Sequence, residues 1–200
     1  MLRDFPFGIE ATKNSTFHAL TFVDLVGKEG GLLVLHPGTQ FFRREEGGVV
    51  GNLVMREWES HFTREYGWPV YAEYHYRLMP HGCEMTNDAR LRAVAGFSRP
   101  PLCVVGPPQD GDLPLRKSFL EVGPGGVQLS ALRRKTDGSV ELRVVEVEGR
   151  RQEATLTLGF PGTEAAETNL LGGNVADALL KDGVIRTSLE PWKIRTFALR

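Results

Sequence analysis

In residues 152–160, Ala154, Leu156, Leu158 and Phe160 alternate with Thr155, Thr157 and Gly159. A repeat of two sets one face of an extended chain against a core and the other toward water, so it predicts a half-buried β-strand. The preceding stretch, DGSVELRVVEV, opens on the turn pair Asp137-Gly138 and alternates Val140, Leu142 and Val144 with Glu141 and Arg143. Glu148, Gly149, Arg150 and Arg151 separate the two runs, which are expected to pair as an antiparallel hairpin. Two more strands follow in GVIRTSLEPWKIRTFALR, divided by Pro191, which has no N–H to give to a ladder. From Ser139 to Arg200 the chain is therefore expected to be all-β.

The earlier residues carry the same signals. Phe5, Phe7 and Ile9 give DFPFGIE an apolar face that calls for a neighbour. TFHALTFVDLV reads as a strand, residues 27–31 as a turn, LLVLH as a second strand, and Pro37-Gly38 as a turn before TQFFRRE. GVVGNLVMREW reads as a longer strand with a bulge at Gly51, and ESHFTREYGWP as a loop. VYAEYHYRLMPHG reads as a strand with Tyr71, Glu73, His75 and Arg77 on one face. One short helix is predicted in TNDARLRAVAGF, with Thr86 or Asn87 as its cap and Leu91, Val94 and Ala95 on one side. The stretch SRPPLCVVGPPQDGDLPL holds five of the twelve prolines and marks a boundary between two β units, 1–110 and 111–200.

Composition narrows the partners. A net charge of −1 over 200 residues offers no basic excess for nucleic acid. No apolar run is long enough to span a membrane, and MLRDFPFGIEATKN has no signal pattern. Cys83 and Cys103 are the two cysteines, too few for a disulfide framework, so a cytoplasmic setting is expected. Asn14-Ser15-Thr16 fits a glycosylation sequon and reads as an exposed loop.

The order LRVVEVEGRRQEATLTL, AETNLLGG, SLEPWKIRTFALR resembles the C-terminal β-sandwich region of glycoside hydrolase family 38 α-mannosidases. Pro191, Ile194 and Thr196 hold the places of the family's PxEIxT pattern, with Lys193 where an acidic residue is usual. DFPFGIE, FVDLVGKEGGLLVLHPGTQFFRRE, LVMRE and YHYRLMPHG extend the resemblance over the first half. It implies an all-β fold: an antiparallel β-sandwich, part of a galactose-mutarotase-like supersandwich, followed by a smaller C-terminal β-sandwich. It further implies a parent enzyme that hydrolyses terminal α-mannosides with retention, using zinc held by His and Asp of a separate catalytic domain. No segment here corresponds to that domain, so no catalytic residue, metal ligand or cofactor is expected in this chain.

A glycosidase needs two carboxyl groups flanking the scissile bond. No His-x-Asp pair occurs, the five histidines are scattered, and no Gly-x-Ser-x-Gly is present. His81 and Cys83 in PHGCE look like a metal pair only in passing, and turn geometry explains that segment better. The charge runs at Arg43, Arg44 and Glu45 and at Arg150 and Arg151 read as soluble edges. Four residues remain as candidate substrate contacts. The resemblance places Arg56, with Glu57 beside it, toward the sugar cavity, where a planar guanidinium suits bidentate bonds. Trp68, in a loop with His61, Arg64 and Tyr66, offers an aromatic face for a sugar or a plug between sheets. His75 in YHYR is a ligand contact or an ordinary structural histidine.

The expected role is non-catalytic: packing on a catalytic domain or subunit and shaping a carbohydrate cleft that takes mannosides. The alternatives are a stand-alone carbohydrate-binding module built on the loop from Trp58 to Trp68, or a mutarotase-like sugar epimerase using Glu73 and His75. An open sheet edge is expected to support homo-oligomerisation.

Overall fold

The computed structural model describes residues 1–36, 38–54, 73–107, 110–112 and 114–200. The chain divides into two units, Met1–Met85 with Ala89–Pro100, and Thr86–Asp88 with Pro101–Arg200. Among the described residues all strand pairings are antiparallel and there is a single α-helix, α1 (Asn87–Ser98), as the sequence patterns require of an all-β sandwich fold.

The first unit is organised by a strand buried on both faces, β4 (Phe22–Val26). It lies in a five-stranded sheet with β1 (Leu2–Phe5), β2 (Gly8–Ala11), β5 (Gly31–Leu35) and β8 (Arg77–His81), in the order β2-β1-β4-β5-β8. Phe22, Leu33, Leu35 and Ile9 face Leu91, Ala93, Val94 and Phe97 of α1. Leu91 and Val94 thus share the buried side, as their spacing predicts. On the opposite side, Val23 joins Phe17, Ala19 and Phe42 under a three-stranded sheet of β3 (Thr16–His18), β6 (Phe41–Arg44) and β7 (Val50–Asn52). Helix, sheet and sheet make three layers, so β5, and β4 apart from its Asp24, are apolar on both sides and do not alternate.

Several sequence expectations change here. TFHALTFVDLV forms two strands in different sheets, because the buried Asp4 carboxylate gathers the N–H groups of Leu20 and Thr21 at 2.9 Å and of Phe22 at 3.2 Å. Three donors on one carboxylate fix a bend that alternation cannot reveal. Gly51 pairs with Arg43 in an unbroken register, so it is no bulge, and β7 ends at Asn52. Residues 73–76 precede β8 without strand structure. Phe5 and Phe7 sit exposed at the β1–β2 turn, with Phe7 at φ 61°, while Ile9 is buried.

The second unit is a two-layer sandwich. One sheet runs β10-β11-β17-β13-β14, from β10 (Val127–Arg134), β11 (Val140–Glu146), β17 (Ile194–Leu199), β13 (Ala165–Thr168) and β14 (Asn174–Ala178). The other runs β15-β16-β12-β9, from β15 (Leu180–Lys181), β16 (Val184–Leu189), β12 (Gln152–Leu158) and β9 (Leu120–Gly123). Ala154, Leu156 and Leu158 are buried with Leu142, Val144, Ile185, Leu189, Phe197 and Leu199, so the alternation in β12 is realised face for face.

The predicted hairpin is not. β11 pairs with β10 and β17, whereas β12 pairs with β16 and β9. The two runs face one another across the core and lie in different sheets. The cause is Glu146, fully buried, whose carboxylate accepts the N–H groups of Glu148 at 2.7 Å and of Gly149 and Trp192 at 2.9 Å. That carboxylate pins the crossing from β11 to β12 and the crossing from β16 to β17 at one end of the sandwich. Glu141 also departs from the pattern: it is buried and accepts two bonds from Arg133 at 3.1 Å and one from Arg143 at 3.0 Å. Hydrogen bonding to Arg133 holds its carboxyl below the ordinary range. Arg143 in turn donates to Thr196 Oγ1 at 3.1 Å, which gives the buried threonine of the Pro191–Thr196 pattern a structural task.

Candidate functional site

Of the four candidate contacts, Arg56, Glu57 and Trp68 lie outside the described residues, as does the rest of the Trp58–Trp68 loop. His75 is described, exposed, and paired with Glu73 at 3.0 Å. The two residues expected on one face do meet.

The pair lines a small cavity of about 50 Å³ together with His36, Gly38, Thr39, Tyr74 and Tyr76. His36 follows the last residue of β5 and is carried inward by the apolar run Leu33–Leu35, so that only 1% of it is exposed. Its ring packs edge-on against Phe42, centroids 4.5 Å apart. Both ring nitrogens are closed off from solvent and neither makes a well-aligned hydrogen bond, although the Thr39 backbone interacts with the ring. Burial pushes this histidine below its ordinary pKa, with Asp4 and the Thr39 backbone pulling weakly the other way. The ring is therefore neutral at pH 7, with one nitrogen a donor and the other an acceptor.

The wall beside His36 is held by Asn52, at the end of β7. Asn52 Oδ1 accepts from Tyr76 Oη at 2.6 Å and from Thr39 Oγ1, and its amide donates to the Phe41 carbonyl at 2.9 Å. Three segments distant in sequence thus meet on one amide. Asn52 and His36 carried no signal in the sequence: each is a single polar residue at the end of an apolar strand, indistinguishable there from a turn residue.

A second constellation in this unit is structural. The fully buried Asp24 accepts from His81 Nε2 at 2.8 Å and from Arg90 Nε at 2.6 Å, and His81 Nδ1 lies 2.6 Å from the Gly82 carbonyl. Both ring nitrogens of His81 face acceptors, so both carry hydrogens and the ring is an imidazolium. The bond to Asp24, then that to Gly82, raises its pKa. His81 thus serves the PHG turn, and Cys83 beside it is an exposed free thiol. Among the described residues no three His, Cys, Asp or Glu side chains gather closely enough to hold a metal ion. In the second unit a groove of about 520 Å³ is lined by Lys135, Asp137, Asp177 and Arg200 among others, without an aromatic face.

Among the described residues the chain is built of antiparallel sheets with a single α-helix. Residues 126–197 match the sequence profile of the glycosyl hydrolases family 38 C-terminal beta sandwich domain, in line with the resemblance carried by the motifs of that half. The whole chain superposes on the crystal structure of a glycosyl hydrolase family 38 protein from Enterococcus faecalis, with a TM-score of 0.75 at 16% identity. It also superposes on an α-mannosidase from Enterococcus faecalis V583, with a TM-score of 0.72 at 15% identity. Both matches cover 100% of this chain and 24% of the other, so the chain spans about a quarter of the length of these structures. No curated protein matches by sequence.

Proposed function

We propose that this chain is the non-catalytic C-terminal β region of an α-mannosidase-like glycoside hydrolase, packing on a catalytic domain or subunit and forming one wall of its carbohydrate cleft. The observation that carries the reading is the full-length superposition on about a quarter of two family 38 structures, together with the family match over residues 126–197. In this reading mannosides meet the first unit, through His75 and through Arg56, Glu57 and Trp68. Zinc chemistry belongs to the catalytic partner. The free, exposed Cys83 and Cys103 support a reducing, cytoplasmic setting, and among the described residues no helix is long and apolar enough to cross a membrane. The epimerase alternative gains a second histidine in His36, but a cavity of about 50 Å³ is far below the roughly 300 Å³ at which ligand pockets begin.

The test is co-expression with the polypeptide encoded immediately upstream, followed by an assay on an aryl α-mannoside. A stable complex that hydrolyses the substrate, with no turnover by this chain alone, is expected. Turnover by this chain alone, or failure of the two polypeptides to associate, would overturn the reading.

A further inference from the structure

We infer that an apolar groove in the second unit takes Leu115 of a second copy of this chain, with Asp110 and Asp112 of that copy on the groove's basic rim. The inference makes no use of the reading above.

Leu132 of β10 and Val140 of β11, with Phe119 just before β9 and Phe160 just after β12, floor a groove of about 280 Å³. Phe119 is 57% exposed and Leu132 40%, so the sandwich opens apolar surface to water here. Among the described residues the charged lining is Arg133 and Arg134, and Arg133 is held by the buried Glu141 at 3.1 Å. Arg134 is left to the rim, and Lys117 Nζ lies 5.9 Å from the centre of the Phe119 ring. An apolar floor under a cationic rim fits a segment that joins an aliphatic side chain to carboxylates.

The proline-rich stretch before β9 is such a segment. Asp110 and Asp112 are exposed, and Leu115, four residues before Phe119, is fully exposed, so in its own molecule it stays out of the groove. Leu102, Val104 and Val105 of the same stretch are 96, 91 and 93% exposed, so its aliphatic side chains find no cover within one molecule. Pro107 and Pro114 restrict the backbone and cannot donate to a ladder, which lowers the cost of ordering the stretch on a partner. About 10 Å of extended chain separates Asp112 from Leu115, enough for the leucine to meet the floor while the carboxylate meets Arg134. Each copy offers groove and segment alike, so the exchange closes as a two-fold dimer.

The experiment is sedimentation equilibrium of the full chain over a concentration series at low and high salt. A dimer that loosens as salt is added is expected. Leu132→Asp is expected to weaken it roughly tenfold or more, and Arg134→Glu or Asp112→Arg by a few-fold each. Joining the two reversals in one chain is expected to restore association, because the pair re-forms with its signs exchanged. All three positions are exposed, so the far-ultraviolet circular dichroism of each variant should match the wild type. Val175→Lys is expected to leave this dimer in place. A monomer throughout, a dimer indifferent to Leu132→Asp, reversals that add without rescue, or a dimer lost in Val175→Lys would each overturn the assignment.

Discussion

Replacing Asp24 by asparagine keeps the shape of the side chain and removes its charge, and the structure fixes what that costs. Asp24 is fully buried, with one carboxylate oxygen on His81 and the other on Arg90, whose own side chain is 5% exposed. Asparagine presents an NH₂ group to one of two donors and leaves two cations facing an amide where a carboxylate stood. Breaking a buried ion pair from one side costs about 3–5 kcal/mol, a large share of the roughly 5–15 kcal/mol that holds a domain together. The pH dependence follows from the same contacts. His81 titrates above its ordinary value in the folded chain, so the folded state binds the extra proton more tightly than the unfolded one. The stabilisation is complete below the unfolded value, about 6.5, and is lost as pH rises through the raised folded value. Urea denaturation with hydrogen exchange read on β4, β5 and β8 should show the first unit weakening as pH climbs above neutrality. In Asp24→Asn the unit should be several kcal/mol weaker with little of that slope, since the bond to Asp24 is the largest cause of the shift. An Asp24→Asn variant within about 1 kcal/mol of wild type, with the same slope, would refute the buried-triad account.

Glu146→Gln replaces one acceptor oxygen among three N–H donors with an NH₂ group; chemical denaturation should show the second unit weakened by about 3 kcal/mol. Gly149→Ala places a methyl group at φ +70° with its Cβ 3.0 Å from the Trp192 ring, and should cost about 1–2 kcal/mol and alter the near-ultraviolet circular dichroism of that indole. Leu156→Ala, at a fully buried position between both sheets, should lower stability by about 2–5 kcal/mol in calorimetry. Among the described residues β14 pairs only with β13 and leaves Val175 exposed, so the chain should self-associate at high concentration in light scattering and Val175→Lys should suppress it; a monodisperse monomer before mutation counts against an open edge.

What the sequence made legible was which residues face a core; what it concealed was which strand they face. The period of two in β12 located Ala154, Leu156 and Leu158 correctly, and Leu91 and Val94 marked the buried side of α1. A hairpin and an arch across a sandwich share one alternation pattern, so β11 and β12 gave no warning that they belong to separate sheets. Three of the four candidate contacts lie outside the described residues. The fourth, His75, is exposed and paired with Glu73 beside a small cavity that His36 also lines, and His36 sits at the end of an apolar run where no periodicity singles it out. The missing information was nevertheless written in residue types. Asp4, Asp24 and Glu146 each interrupt or close an apolar stretch, and each is buried. A carboxylate is tolerated there only when several donors converge on it, and in a β chain several donors converge where backbone leaves a ladder or where a second element packs. Asp4 bends β3 into β4, Asp24 ties β4 to β8 and α1, and Glu146 sends the chain from one sheet to the other. Reading such an acid as a solvent-facing member of an alternating pattern therefore misassigns its side chain and misses the change of direction it enforces.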